Sequence, residues 1–139
     1  IRPTISALIA TTNGSHFLLL DVGLNVDCKP DVLYQYGQIG SVYMENIMKI
    51  KNPRVALLNI GEEPEKGNPV ARAAYELMDG TPDFNFVGNV EAKNIFSGEF
   101  ADVVVCDGFV CNTILQQAEG FYELARSQGI QNQYIDQLN

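Results

Sequence analysis

Positive charge is scarce in this chain. Nine Lys and Arg stand against seventeen Asp and Glu, a formal net charge of −8 at pH 7. A phosphate backbone needs a basic face, so no nucleic-acid partner is expected. Unaided adhesion to an anionic membrane is disfavoured for the same reason. Long apolar runs are missing too, and none approaches the roughly 18–20 residues of a membrane helix. Ile1-Arg2-Pro3 is not a basic segment leading into an apolar one, so it does not read as a signal peptide. The chain also lacks an initiator Met and is expected to be a piece of a longer protein. Cysteine is limited to Cys28, Cys106 and Cys111, an odd number without metal-type spacing, which predicts free thiols in a reducing cytoplasm. His16 is the single histidine, beside a predicted turn, and reads as a surface imidazole. No second histidine completes a Cys–His pair, so Cys111 reads as a packing residue.

What is present is a chain of 139 residues, 46% hydrophobic and 19% charged, values that suit a single globular domain over 1–139. Apolar runs at 5–10 and 17–22 flank Asn13-Gly14, the strongest short hairpin signal. After Pro30, residues Val32, Tyr36, Ile39, Tyr43 and Ile47 recur at three and four, one face of a helix. Asn52-Pro53 breaks the chain, and the short apolar run 55–60 reads as a strand buried on both faces. Val70, Ala74 and Leu77 predict a second helix, closed by Asp79-Gly80. Segments 84–87 and 102–106 read as two more strands. Ile114, Leu115, Ala118, Phe121, Tyr122 and Ala125 form the stripe of a third helix. Strands alternating with helices imply a parallel α/β sheet, made mixed by the opening hairpin.

Four apolar runs finish in small polar clusters. These are Asp21 to Asn25, Asn59 to Glu63, Gly88 to Glu91, and Asp107 to Asn112. In open α/β sheets, ligands bind at the carboxyl ends of strands. Gly lets backbone approach a ligand, while Asn and free helix N-terminal N–H groups donate hydrogen bonds. Four clusters on one edge would form a crevice for a small anion. Taken singly, each cluster reads first as a tight turn into a helix, and the four in succession point to a crevice. None carries G-x-G-x-x-G or a P-loop. Asp21, Glu62, Glu63, Glu91 and Asp107 would repel phosphate, and Lys29, Lys66 and Lys93 would offset them. The acids do not have the spacing of an EF-hand, and no metal or cofactor is expected. Lys49, Lys51 and Arg54 read as the cationic last turn of a helix, or as a dock for an acidic partner.

The phrases LLLDVGLNVDCKPDVL (18–33), NPRVALLNIGEEPEKGN (52–68), FNFVGNVEAKNI (84–95) and ADVVVCDGFVCNTIL (101–115), with AEG at 118–120, resemble phosphate acyltransferases of the PlsX type. The similarity runs from the first residue to about Ala125. It implies a three-layer α/β/α fold with a mixed, mostly parallel sheet, related to isocitrate and isopropylmalate dehydrogenases. It implies an enzyme that forms acyl phosphate from acyl carrier protein thioesters and orthophosphate for phospholipid synthesis. A homodimer in the cytoplasm, associated peripherally with the membrane, is likewise implied. Carried onto this sequence, the expected catalytic residues are Asp21, Glu62, Lys66, Asp107 and Asn112. Those expected to hold phosphate or substrate are Asn25, Asn59, Gly61, Asn89 and Gly108. The chain departs from the family pattern at Ala92, Cys111 and Gln116, where Gly, Gly and Lys are usual. It also lacks the glycine-rich N-terminal and Gly/His-containing C-terminal segments of complete enzymes, so little activity is expected from this chain alone. Two other readings are a non-catalytic phosphate-binding relative and a phosphotransacetylase-like enzyme using coenzyme A thioesters.

Overall fold

The computed structural model describes residues 6–20, 29–106 and 116. Two strands form the opening hairpin, β1 (Ser6–Ala10) and β2 (His16–Leu20), paired antiparallel from Ser6↔Leu20 to Ala10↔His16. The connecting loop is longer than a two-residue Asn-Gly turn. Thr11 N–H donates to the Ser15 carbonyl at 2.9 Å, and Ser15 N–H donates to Thr11 Oγ1 at 3.0 Å. Within it Gly14 takes φ +86°, and Asn13 is not among the residues with positive φ.

The chain continues as α1 (Pro30–Asn46), β3 (Arg54–Leu58), α2 (Pro69–Met78), β4 (Asn85–Val90), α3 (Ala92–Ile95) and β5 (Val103–Val105). The five strands lie in the order β1-β2-β5-β3-β4. β2 is parallel to β5, β5 to β3, and β3 to β4. The expected mixed, mostly parallel α/β sheet is therefore present.

Continuous apolar runs form the central strands because both faces of the sheet are covered. Leu18, Leu20, Val55, Leu57, Val103 and Val105 face α1 and α2 in one core. Phe17, Leu19, Ala56 and Val104 face the other way and pack with Ile9, Val90 and Ile95. On that second side the short α3 supplies Ile95, and Phe96 meets Phe17 edge to face with ring centroids 5.9 Å apart. Of the expected helix over 114–125, Gln116 alone is among the described residues, and it is helical.

Both long helices begin at proline, whose fixed φ suits the first turn. Their rotation differs from the sequence expectation. In α1, Val32 and Tyr36 are buried, but Ile39 (41% exposed), Tyr43 (38%) and Ile47 (61%) face out. The buried face continues instead through Gly37, Gly40, Ser41 and Met44. A Cβ on Gly40 would stand 2.5 Å from Val103 Cγ1 and 2.9 Å from Leu20 Cδ1. Close approach of helix to sheet selects small residues there, which a count of apolar residues overlooks. In α2 the buried residues are Ala74 and Met78, whereas Val70 and Leu77 are exposed.

Arg54 is also placed differently. It opens β3 and is not in the last turn of α1, and Lys49 and Lys51 follow the helix end. Its guanidinium meets Asp102 at 3.1 Å, and its backbone N–H donates to Asp102 Oδ2 at 2.8 Å. Nη1 and Nη2 donate to the carbonyls of Glu99 and Gly98. Asp102 raises the affinity of the guanidinium for its proton above the ordinary value. These bonds clamp the amino ends of β3 and β5. Asp102→Ala would leave the Arg54 N–H without its acceptor and cost about 1–3 kcal/mol, as for an unsatisfied buried donor. Urea denaturation followed by circular dichroism measures it, and an unchanged midpoint would show the clamp to be dispensable.

Tyr34 makes the corresponding tie on α1, hydrogen-bonded to Thr81 and donating to Asp83 Oδ2. The bond to Asp83 holds its phenol above the ordinary 10.0. One further difference concerns sulfur. Cys106 is half of a disulfide, not a free thiol, and its other half lies outside the described residues.

Candidate strand-end site

Because β2, β5, β3 and β4 run parallel, their carboxyl ends share one edge of the sheet. Asn59 follows β3 on that edge, and its N–H donates to the Val90 carbonyl of β4 at 2.9 Å. Asp21, Asn25, Asp107, Gly108 and Asn112 lie outside the described residues. Leu20 and Cys106, which precede two of them, are joined across the sheet by a 2.8 Å bond from Cys106 N–H to the Leu20 carbonyl.

The loop from Asn59 to Asn68 links β3 to α2, and its shape is set by side chains. Asn59 Oδ1 accepts from Ile60 N–H at 2.8 Å, while Asn59 Nδ2 donates to the Lys66 carbonyl at 2.9 Å. One carboxamide thus ties both ends of the loop together. Gly67 closes it at φ +94°, where a Cβ would lie 2.5 Å from Asn59 Oδ1. Asn68 then caps α2 by accepting from Ala71 N–H at 2.8 Å, and Arg72 donates to the Gly67 carbonyl at 2.9 Å.

Asn89 braces the same loop from the neighbouring strand. It lies within β4, opposite Leu57, and not beyond the strand end as the sequence suggested. The cause is a bulge: the register shifts between Val55 and Ala56, and Gly88 takes φ +101°. Asn89 Nδ2 donates to the Glu63 carbonyl at 2.8 Å. That bond fixes which end of the amide is oxygen, and Asn89 Oδ1 is buried with no hydrogen-bond partner among the described residues.

The structure therefore unites Asn59, Gly61 and Lys66 on one loop, with Asn89 tied to it through Glu63. Gly61 is buried, and a Cβ there would stand 2.9 Å from Glu63 Oε2 and 3.0 Å from Lys66 Cγ. The aliphatic stem of Lys66 lies over this glycine, while Lys66 and Glu62 are themselves exposed. Lys93 is turned to Glu91, 3.5 Å away. Among the described residues no group of three His, Cys, Asp or Glu stands ready to hold a metal ion.

Gly67 and Arg72 are not among the residues expected at the site, although Gly67 stands within the phrase at 52–68. The Asn68-Pro69 pair, a cap followed by a proline, marked the helix start and with it the position of Gly67.

The chain is an open α/β sheet with a polar edge at the carboxyl ends of its parallel strands, the class of fold in which ligands generally bind at that edge. Within that class, residues 1–130 match the family described as "Fatty acid synthesis protein", and the chain belongs to that family. It is similar to proteins named phosphate acyltransferase from Dictyoglomus thermophilum, 51% identical over 122 residues, and Oceanobacillus iheyensis, 52% identical over 122 residues. It is also similar to the phosphate acyltransferase of Moorella thermoacetica, 55% identical over 119 residues. These matches take in 88%, 88% and 86% of the chain but only 36%, 36% and 34% of the respective relatives, so the chain spans about a third of their length.

Proposed function

We propose that the chain is part of a phosphate acyltransferase that forms acyl phosphate from an acyl carrier protein thioester and orthophosphate. The observation that carries this reading is the loop after β3, whose backbone is fixed by Asn59 and Asn89 and which presents Lys66 at the shared strand edge. Family membership and the names of the similar proteins support it.

In this reading a phosphate oxygen attacks the thioester carbon. The C–S bond of the tetrahedral intermediate breaks, and the thiolate leaves and takes up a proton. The chain's part is to hold phosphate against the carbonyl and to stabilise the oxyanion. Lys66 supplies positive charge, and Gly61 allows close backbone approach. Asn59 acts as a positioning residue, because its carboxamide is engaged within the loop. Asp21, Asn25, Asp107, Gly108 and Asn112 complete the proposed crevice, with Asn112 as an oxyanion donor and the acids, Glu62 included, orienting groups or accepting a proton. Acyl carrier protein is the proposed partner and a cytoplasmic homodimer the proposed assembly. Among the described residues no helix is long and apolar enough to cross a membrane.

The test uses a full-length protein containing this chain, supplied with radiolabelled phosphate and either acyl carrier protein or coenzyme A thioesters, with acyl phosphate followed as label carried into the lipid-soluble product. Product from the carrier protein thioester is expected. Asn112→Ala should then lower kcat/KM by a transition-state loss of about 2–4 kcal/mol. Turnover confined to coenzyme A thioesters would replace this reading with a phosphotransacetylase-like one.

A further inference from the structure

Ile60 is the most exposed large apolar residue among those described, at 80%, ahead of Ile47 at 61%. Its place is unusual as well. It lies between Asn59, which ties the loop, and Gly61, which is buried beneath the Lys66 stem. Its own N–H is held by Asn59 Oδ1. Branching at Cβ restricts its χ1, and the backbone is held, so this side chain loses little freedom on contact with a ligand. Residues 62–66 of the same loop are exposed and include Glu62, Glu63, Glu65 and Lys66, so Ile60 is not part of a general apolar surface.

One short loop thus presents a cation and an exposed aliphatic side chain, six residues apart in sequence with Gly61 between them. An acyl phosphate has the matching halves, an anionic head and an alkyl tail. We propose that Ile60 contacts the alkyl chain of the acyl group and contributes to selection of its length, while Lys66 faces the phosphoryl end. This inference rests on the acyltransferase reading and adds the apolar half of the substrate site.

The test compares Ile60→Ser and Ile60→Leu with the parent in a full-length protein containing this chain, using acyl carrier protein charged with hexadecanoyl or acetyl groups. For Ile60→Ser, KM for the hexadecanoyl substrate should rise roughly tenfold, the order of discrimination that a small apolar contact supplies. KM for the acetyl substrate and both kcat values should stay within about twofold, and Ile60→Leu should restore the long-chain KM. Equal KM increases for both substrates would place Ile60 against the carrier protein and overturn the proposal. So would a fall in melting temperature with parallel loss of kcat, which would mark a packing role.

A second readout separates this inference from the enzyme reading. The Ile60 δ1-methyl NMR signal, assigned by its loss in Ile60→Val, should shift on addition of decyl phosphonate and not of methyl phosphonate. Acyl phosphate formation with an unmoved methyl would remove Ile60 and leave the enzyme reading intact. Absence of acyl phosphate from every thioester would remove the enzyme reading, and an unmoved methyl would then remove the alkyl contact too.

Discussion

Gly40→Val is expected to destabilise the fold by about 3 kcal/mol or more, the upper range of overpacking costs. The alanine variant sets the scale. Its single methyl would stand 2.5 Å from Val103 Cγ1 and 2.9 Å from Leu20 Cδ1, both on fully buried strand residues. Neither neighbour is the free end of a long side chain, so α1 must lift from the sheet. Alanine regains about 1 kcal/mol through its better helix propensity, leaving a net loss of about 1–2 kcal/mol for Gly40→Ala after overpacking is counted. Valine adds two methyl groups and gives back less, since branching at Cβ is disfavoured in helices. Against a typical stability of about 5–15 kcal/mol, such a loss would be conspicuous. Ile39→Ala, one residue away, should change stability by no more than about 0.5 kcal/mol, because Ile39 is on the outer face. Urea midpoints give the comparison. A Gly40→Val protein as stable as the parent would contradict the close approach of α1 to β2 and β5.

Gly67→Ala should lower kcat/KM on the order of 100-fold in a full-length enzyme, the scale of loss when a positioning element is displaced by about 1 Å. Two effects act together. Alanine at φ +94° carries a left-handed strain of about 1–2 kcal/mol. Its Cβ would also stand 2.5 Å from Asn59 Oδ1, displacing the carboxamide that binds both Ile60 N–H and the Lys66 carbonyl. Gly80 separates these effects. It too has positive φ, +74°, but a Cβ there meets nothing within 4 Å. Gly80→Ala should therefore reduce stability by a similar backbone term and leave kcat/KM unchanged. Equal activity in the two alanine variants would show that the loop shape does not matter to turnover.

The strands were legible because segments such as Phe17–Leu20 and Val103–Val105 are buried on both sides, and burial on both sides writes an unbroken apolar run. The existence of α1 and α2 was legible from proline starts and helical spacing. Their rotation was not, because Gly37, Gly40 and Ser41 are the inward residues of α1 and carry no hydrophobic signal. Asn59 is legible as the residue that ends the β3 apolar run, and Lys66 as part of the loop that follows. The role of Asn59 as a tie within its own loop depends on a seven-residue return to Lys66, which spacing alone does not encode. The bulge at Gly88 moved Asn89 into the strand, since a glycine followed by Asn reads equally as a turn. Arg54 looked like the end of a helix until the partner that claims it, Asp102, came into contact from far along the chain.

The position of β5 bears on how this chain reaches its folded state. β5 is the last described strand in sequence, yet it lies between β2 and β3, pairing Leu18 with Val103 and Val55 with the same residue. The opening hairpin and the β3-α2-β4 unit rest on local contacts and can begin to form early. They cannot join through the sheet until Val103–Val105 arrives, so the step that unites them carries the entropy of closing a long loop. During synthesis the inner edges of β2 and β3 stay open until this strand emerges. A tripeptide of valines thus closes the sheet between two parts that α1 also bridges by packing on β2, β3 and α2.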